Sequence, residues 1–180
     1  TTVSVLISTF QITELIFTGV AGAVSPLLRT GDIVVAKRLV QHDMDARPLM
    51  PQFEIPLLAK TYFETPPLQF NRAVITASTF VNSLPGDKEL NALGILKPRV
   101  YEGDIASGDK FFASSGERES LLIKLPGILC VEMEGAAVAQ VCYEYNIPFL
   151  VIRFISDDAG DTSHLDFPVF VEKVAGRYSA

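Results

Sequence analysis

Apolar and polar positions alternate in short blocks along the chain. Apolar runs over Glu14–Thr18, Ile33–Ala36, Pro98–Glu102, Leu129–Val131 and Phe149–Ile155 predict buried strands. Val3–Phe10 is too short an apolar run to separate helix from buried strand. Glu134–Tyr145 predicts the clearest helix: Ala137, Val138, Val141 and Cys142 gather on one side, and Asn146-Ile147-Pro148 stops it. Asn71–Asn82 and Phe167–Val174 read as further helices. Leu57–Phe63 reads as a helix ended by Pro66-Pro67, and Phe111–Glu119 as the start of another. Gly19–Ala23 and Gly103–Gly108 read as a turn and a loop. Gln41–Pro56 reads as a long irregular excursion.

Strand and helix alternation predicts an α/β fold with a largely parallel sheet covered on both faces. In such sheets ligands sit beyond the carboxyl ends of strands. Polar clusters follow Thr18, Val131 and Ile155, so those ends are the first places to look for chemistry.

Composition narrows the class. A 180-residue chain with 48% hydrophobic and 20% charged residues suits one folded domain. A formal net charge of −6 without a basic cluster argues against nucleic acid or an anionic membrane as partner. No apolar run reaches a membrane span. Cys130 and Cys142 form no disulfide framework and no metal-ligand spacing, which fits a reducing, cytoplasmic setting and no metal.

Carboxylates at apolar strand ends cost free energy unless something pairs with them. Glu132 and Glu134 flank Met133 at a predicted strand end, where the two carboxylates are expected to point different ways. One can face a ligand, where a carboxylate suits a vicinal diol, while the other pairs elsewhere. Capping of the following helix is the other reading. Asp157 and Asp158 close an apolar run. One of them can act as a general acid in a partly dry cleft, or both can be turn residues. Ser156 is a candidate cap. Arg153, inside a strand, needs a carboxylate from the same cleft. Gly19, Ala21 and Gly22 can let backbone approach a ligand or make an ordinary turn. Phe111-Phe112 can stack on a base or pack in the core. His42 fits a loop or subunit contact, and His164 a surface loop or lid.

Six segments, in order and spacing, resemble the purine nucleoside phosphorylase/hydrolase family. They are Gly19-Val20-Ala21-Gly22, Gly31-Asp32-Ile33-Val34-Val35, His42-Asp43-Met44-Asp45, Ser107-Gly108-Asp109, Val131-Glu132-Met133-Glu134-Gly135 and Ile155-Ser156-Asp157. The resemblance is nearest to the nucleosidase branch. It implies a three-layer α/β/α sandwich with a mixed, largely parallel sheet, and a homodimer. It also implies one domain over residues 1–180, with the family's first strands and the end of its last helix outside this sequence. The implied reaction is hydrolysis of the N-glycosidic bond of 5′-methylthioadenosine and S-adenosylhomocysteine, without a cofactor. Asp157 would protonate the leaving adenine, and Glu134 would hold the ribose hydroxyls with Met133 packed on the sugar. Phe111 and Phe112 would lie by the base. Val20, Ala21 and Gly22 would line the ribose side, and Glu132, Arg153 and Ser156 would support the substrate. Leu49, Met50 and Phe53 would reach the 5′-substituent, across a subunit boundary. The water-activating base is expected in the family's first strand. A phosphate-dependent phosphorylase and a non-catalytic nucleoside-binding homologue are the alternatives.

Overall fold

The computed structural model describes residues 1–84, 87–160, 168 and 170–175. The elements are α1 (Thr2–Phe10), β1 (Leu15–Ala23), β2 (Ile33–Gln41), β3 (Phe63–Glu64), α2 (Pro67–Ser83), α3 (Lys88–Ala92), β4 (Val100–Ser107), α4 (Ser115–Lys124), β5 (Ile128–Glu132), α5 (Gly135–Glu144) and β6 (Phe149–Asp157). A π-helical turn covers Val171–Ala175. Among the described residues the sheet runs β3-β2-β4-β5-β1-β6, and β2 also pairs with β6. That pairing bends the sheet back on itself, so β2, β4, β5, β1 and β6 form a closed ring with β3 outside it. The pairs β2–β4, β4–β5 and β1–β6 are parallel; β2–β3, β1–β5 and β2–β6 are antiparallel.

Alternation along β2 shows why helices cover both faces. Val34 and Ala36 join Ala136, Ala139 and Cys142 of α5, while Ile33 and Val35 join Ala73 and Ala77 of α2. Side chains two residues apart share a face, so a strand with no polar position in this stretch needs cover on each side. The expected three-layer arrangement with a mixed sheet is therefore present.

Several local expectations are corrected. Gly19–Ala23 is no turn: β1 continues through it, paired with β6 as far as Gly22, with a bulge between Ala21 and Gly22, and with β5 at Gly22 and Ala23. Gly103–Gly108 is likewise mostly strand β4, and Gly103 is needed because the Leu129 side chain fills the place of a Cβ. Leu57–Phe63 is not helical. Leu57 and Ala59 hold positive φ (69° and 49°), and Ile55 bridges Lys60 in a tight reversal. Pro67 opens α2 as its first residue, where its missing N–H costs nothing. The helix expected from Phe111 begins at Ser115, because Ser114 caps it by accepting the Glu117 N–H (3.4 Å). Of the last predicted helix, Phe167 lies outside the described residues, and Phe170 and Val174 are buried. His164 also lies outside them.

Candidate active site

The ends of β1, β5 and β6 and the loop after β4 enclose a cavity of about 130 Å³. Val20, Ala21 and Gly22 come from β1, and Asp157 and Ala159 from the end of β6. Val131 to Glu134 come from β5 and its exit, and Lys110, Phe111 and Phe112 from the loop. A usual small-ligand pocket starts near ~300 Å³. Met133 also lines a neighbouring hollow of about 380 Å³ between Gln41–Asp45 and Ser107–Asp109. A ligand larger than the cavity therefore has room to continue over Met133.

The two glutamates divide the work. Glu132 is buried and turns inward. Its Oε2 accepts from Arg153 Nη2 (2.6 Å) and Nε (3.1 Å), and its carboxylate accepts the N–H groups of Glu134 (3.2 Å) and Gly135 (2.8 and 3.0 Å). It thus caps α5 and neutralises Arg153 at once. Glu134, two residues on, faces the cavity and makes no side-chain cap bond. Burial first, and repulsion from Glu132 second, raise the Glu134 carboxyl above the usual range, while Arg153 opposes them.

Asp157 is 3% exposed at the end of β6. Its Oδ2 accepts from Ser156 Oγ (2.6 Å) and its Oδ1 from the Ala159 N–H (2.8 Å). Ser156 is buried and also reaches the Ala21 carbonyl (3.3 Å), so it orients Asp157 and is not a cap. The bulge in β1 brings Gly22 opposite Asp157. A Cβ on Gly22 would lie 2.9 Å from both Asp157 Oδ1 and the Ala159 Cβ. The small residues of β1 are thus close-approach positions, but the approach is to the acid as well as to the cavity. Gly22→Ala should cost activity about 10²-fold through displacement of Asp157, with a smaller loss of thermal stability. Steady-state rates alongside melting curves check this. A variant at full rate would mean that Asp157 tolerates displacement.

Not every expected residue meets the cavity. Arg153 is 1% exposed and sits behind the wall, with its guanidinium 4.3 Å from the Phe17 ring centre. Its role is indirect, because Glu132 takes its charge. Phe53 is buried in the core cluster that contains Phe112 and does not line this cavity. Leu49 is 86% exposed and Met50 half-buried, both away from this cavity. Phe112 is buried and Phe111 stands 41% exposed, which leaves Phe111 the more accessible ring. His42 packs edge-on against Phe112 (5.3 Å between centres) and is buried enough that its pKa is lowered. Lys110, Val131 and Ala159 also line the cavity. Lys110 comes from the loop after β4, Val131 from β5 and Ala159 from just beyond the end of β6. Both thiols are buried and raised by that burial, Cys142 to about 11.

The sequence profile of the phosphorylase superfamily matches residues 1–180. The chain belongs to the phosphorylase superfamily. Among its superfamily relatives, the 5′-methylthioadenosine/S-adenosylhomocysteine nucleosidase of Mycobacterium bovis is 38% identical, over 97% of this chain and 70% of the relative. The S-adenosylhomocysteine nucleosidase of Streptococcus pyogenes, solved with 5-methylthiotubericidin, superposes with a TM-score of 0.79. It is 31% identical, over 99% of this chain and 69% of that one. Futalosine hydrolase of Helicobacter pylori superposes at 0.73 with 35% identity, over 97% and 67%. The superfamily's mixed α/β fold is the fold described above. No helix among the described residues is long and apolar enough to cross a membrane.

Proposed function

We propose that this protein hydrolyses the N-glycosidic bond of 5′-methylthioadenosine and S-adenosylhomocysteine, releasing adenine and the thioribose sugar. The observation that carries the reading is the meeting of Glu134 and Asp157, 23 residues apart in the numbering, on one cavity beside Phe111. Relatives named for this activity support the substrate class.

The base lies between Phe111 and Asp157, and the ribose over Met133 with its hydroxyls on Glu134. As the bond from C1′ breaks, its electron pair moves to the adenine, and a protonated Asp157 passes its proton to N7. The Ser156 hydroxyl and the Ala159 N–H then stabilise the carboxylate left behind. Glu134 stabilises positive charge growing on the sugar, water attacks C1′, and the proton that the water sheds passes to solvent, from which the Asp157 carboxylate is reprotonated. The 5′-thioether, still bonded to the sugar, extends over Met133 toward the neighbouring hollow. Exposed Leu49 and half-buried Met50 suit a homodimer in which the excursion reaches the partner's 5′ end. Two buried free thiols suit a cytoplasmic protein.

Water is favoured over phosphate by the state of the nearby cations. Lys110, which lines the cavity, pairs with Glu117, Arg153 behind its wall pairs with Glu132, and Arg118 donates to the Asp158 carbonyl (3.0 Å). Arg29 lines a separate cleft with Asp32 and Arg99. Adenine release from 5′-methylthioadenosine should proceed at the same rate with and without inorganic phosphate. Strict phosphate dependence would make the protein a phosphorylase, and binding without release a non-catalytic homologue.

A pH profile follows from Glu134. Its raised pKa means that the ionised, ribose-binding form is lost as pH falls, at a value above an ordinary glutamate. The acid limb of kcat/KM should therefore lie above pH 4.5, the unshifted value. Glu134→Gln should remove that limb along with most of the activity. A limb unchanged in the variant would assign it to another group.

A further inference from the structure

Ser107-Gly108-Asp109 ends β4 and takes no part in the chemistry above, yet its residues tie the end of β4 to the ends of β2 and β5. The Ser107 carbonyl accepts the His42 N–H (2.9 Å) and the Gly108 N–H donates to the Glu132 carbonyl (3.1 Å). The Asp109 N–H donates to Asp43 Oδ2 (2.8 Å). Gly108 has no room for a side chain because the His42 ring fills it. The Ser107 side chain is 2% exposed. Its hydroxyl donates to Glu132 Oε1 and accepts the Ala136 N–H (2.7 Å).

We propose that Ser107 is a positioning residue for the ribose-binding carboxylate, acting through Glu132 and the first turn of α5. The first N–H groups of a helix have no partner within it. In α5, Glu132 takes those of Glu134 and Gly135, and Ser107 takes that of Ala136. Together they hold three successive N–H groups starting at Glu134 itself. The Glu134 side chain is thereby released from capping and points into the cavity. Without the Ser107 hydroxyl, the Ala136 N–H is left buried without its acceptor, and Glu132 loses a donor on Oε1. The helix start can then shift, and a shift near 1 Å at a reacting group costs about 10²-fold. Asp157 and Phe111 lie on other elements and should not move with it.

The inference rests on assigning Glu134 to the ribose, and its test separates ribose from base. Titrate the intact protein calorimetrically with adenine and with a C-nucleoside analogue of 5′-methylthioadenosine, whose carbon link resists hydrolysis. Ser107→Ala should weaken the analogue about tenfold or more and leave adenine within about twofold. Ser107→Thr, which restores the hydroxyl, should recover analogue binding. If Ser107→Ala does not fold, Ser107→Cys, with similar volume and a weak donor, carries the same comparison. Equal weakening of both ligands, or of neither, would overturn the proposal, as would failure of Thr to recover binding. Wild-type protein that binds the analogue but releases no adenine from 5′-methylthioadenosine would end the hydrolase reading and leave this one standing. Wild-type protein that binds neither ligand would end both.

Discussion

Asp157→Asn should abolish adenine release while leaving the fold intact. A positioned general acid contributes about 10²–10⁴-fold, so kcat should fall by that factor. The amide keeps an oxygen for the Ala159 N–H, now held at 2.8 Å. It cannot accept the Ser156 hydroxyl on its nitrogen, but that hydroxyl already reaches the Ala21 carbonyl at 3.3 Å. The side chain therefore stays in place at little structural cost. Its amide N–H can still donate to N7 of the base, so substrate binding survives. What it cannot do is transfer a proton and neutralise the departing adenine. KM should change little while kcat collapses, which is the mark of an interaction made only in the transition state. A 5′-thio riboside whose leaving group departs without a proton should lose much less. Turnover within about threefold of wild type would remove Asp157 from the acid role.

Much of this site was legible in the sequence because it sits at strand ends. Charge after an apolar run has few harmless explanations, and Glu132, Glu134 and Asp157 all stand in that position. The two glutamates diverge because β5 ends at Glu132 and the chain turns into α5 at Glu134. A continuing strand would have placed residues two apart on one face. The pair divides between the two positions that the readings described: Glu132 caps α5 and Glu134 faces the cavity. The glycines were harder. Gly19 and Gly103 look like turn residues, yet both lie within strands and make room for side chains distant in sequence. Arg153 Nη1 lies 3.1 Å from where a Gly19 Cβ would be. Which neighbour a glycine accommodates depends on sheet pairing, which local pattern does not encode. The closure of the sheet by β2 and β6 is of the same kind. Exposed Leu57 defeated the helical reading of its segment, because positive φ at two non-glycine residues is set by the surrounding chain.

The buried pair beneath the cavity carries the largest stability effect. Glu132→Ala leaves Arg153, 1% exposed, without its carboxylate and strips the acceptor from the start of α5. Removing one partner of a buried pair costs about 3–5 kcal/mol, because the other charge stays in the low-dielectric interior. For a domain of this size that lowers Tm by about 6–20 °C. Arg153 keeps two weak acceptors, the carbonyls of Phe17 (3.3 Å) and Ile152 (3.1 Å), and neither carries charge to offset its own. Arg153→Met should also destabilise, since Glu132 would keep its N–H donors but lose its counter-ion. Adding Glu132→Gln to Arg153→Met removes the stranded charge while leaving an oxygen for the Gly135 N–H. The double variant should therefore be more stable than Arg153→Met alone. Additive losses in that cycle, measured by chemical denaturation, would show that the two side chains act independently. The same pair reaches the chemistry through charge. Glu132 repels the Glu134 carboxylate, so Glu132→Gln should move the acid limb of kcat/KM to lower pH. An unmoved limb would mean that burial alone sets the ionisation of Glu134, and that Glu132 serves the fold and the helix start without tuning the ribose contact.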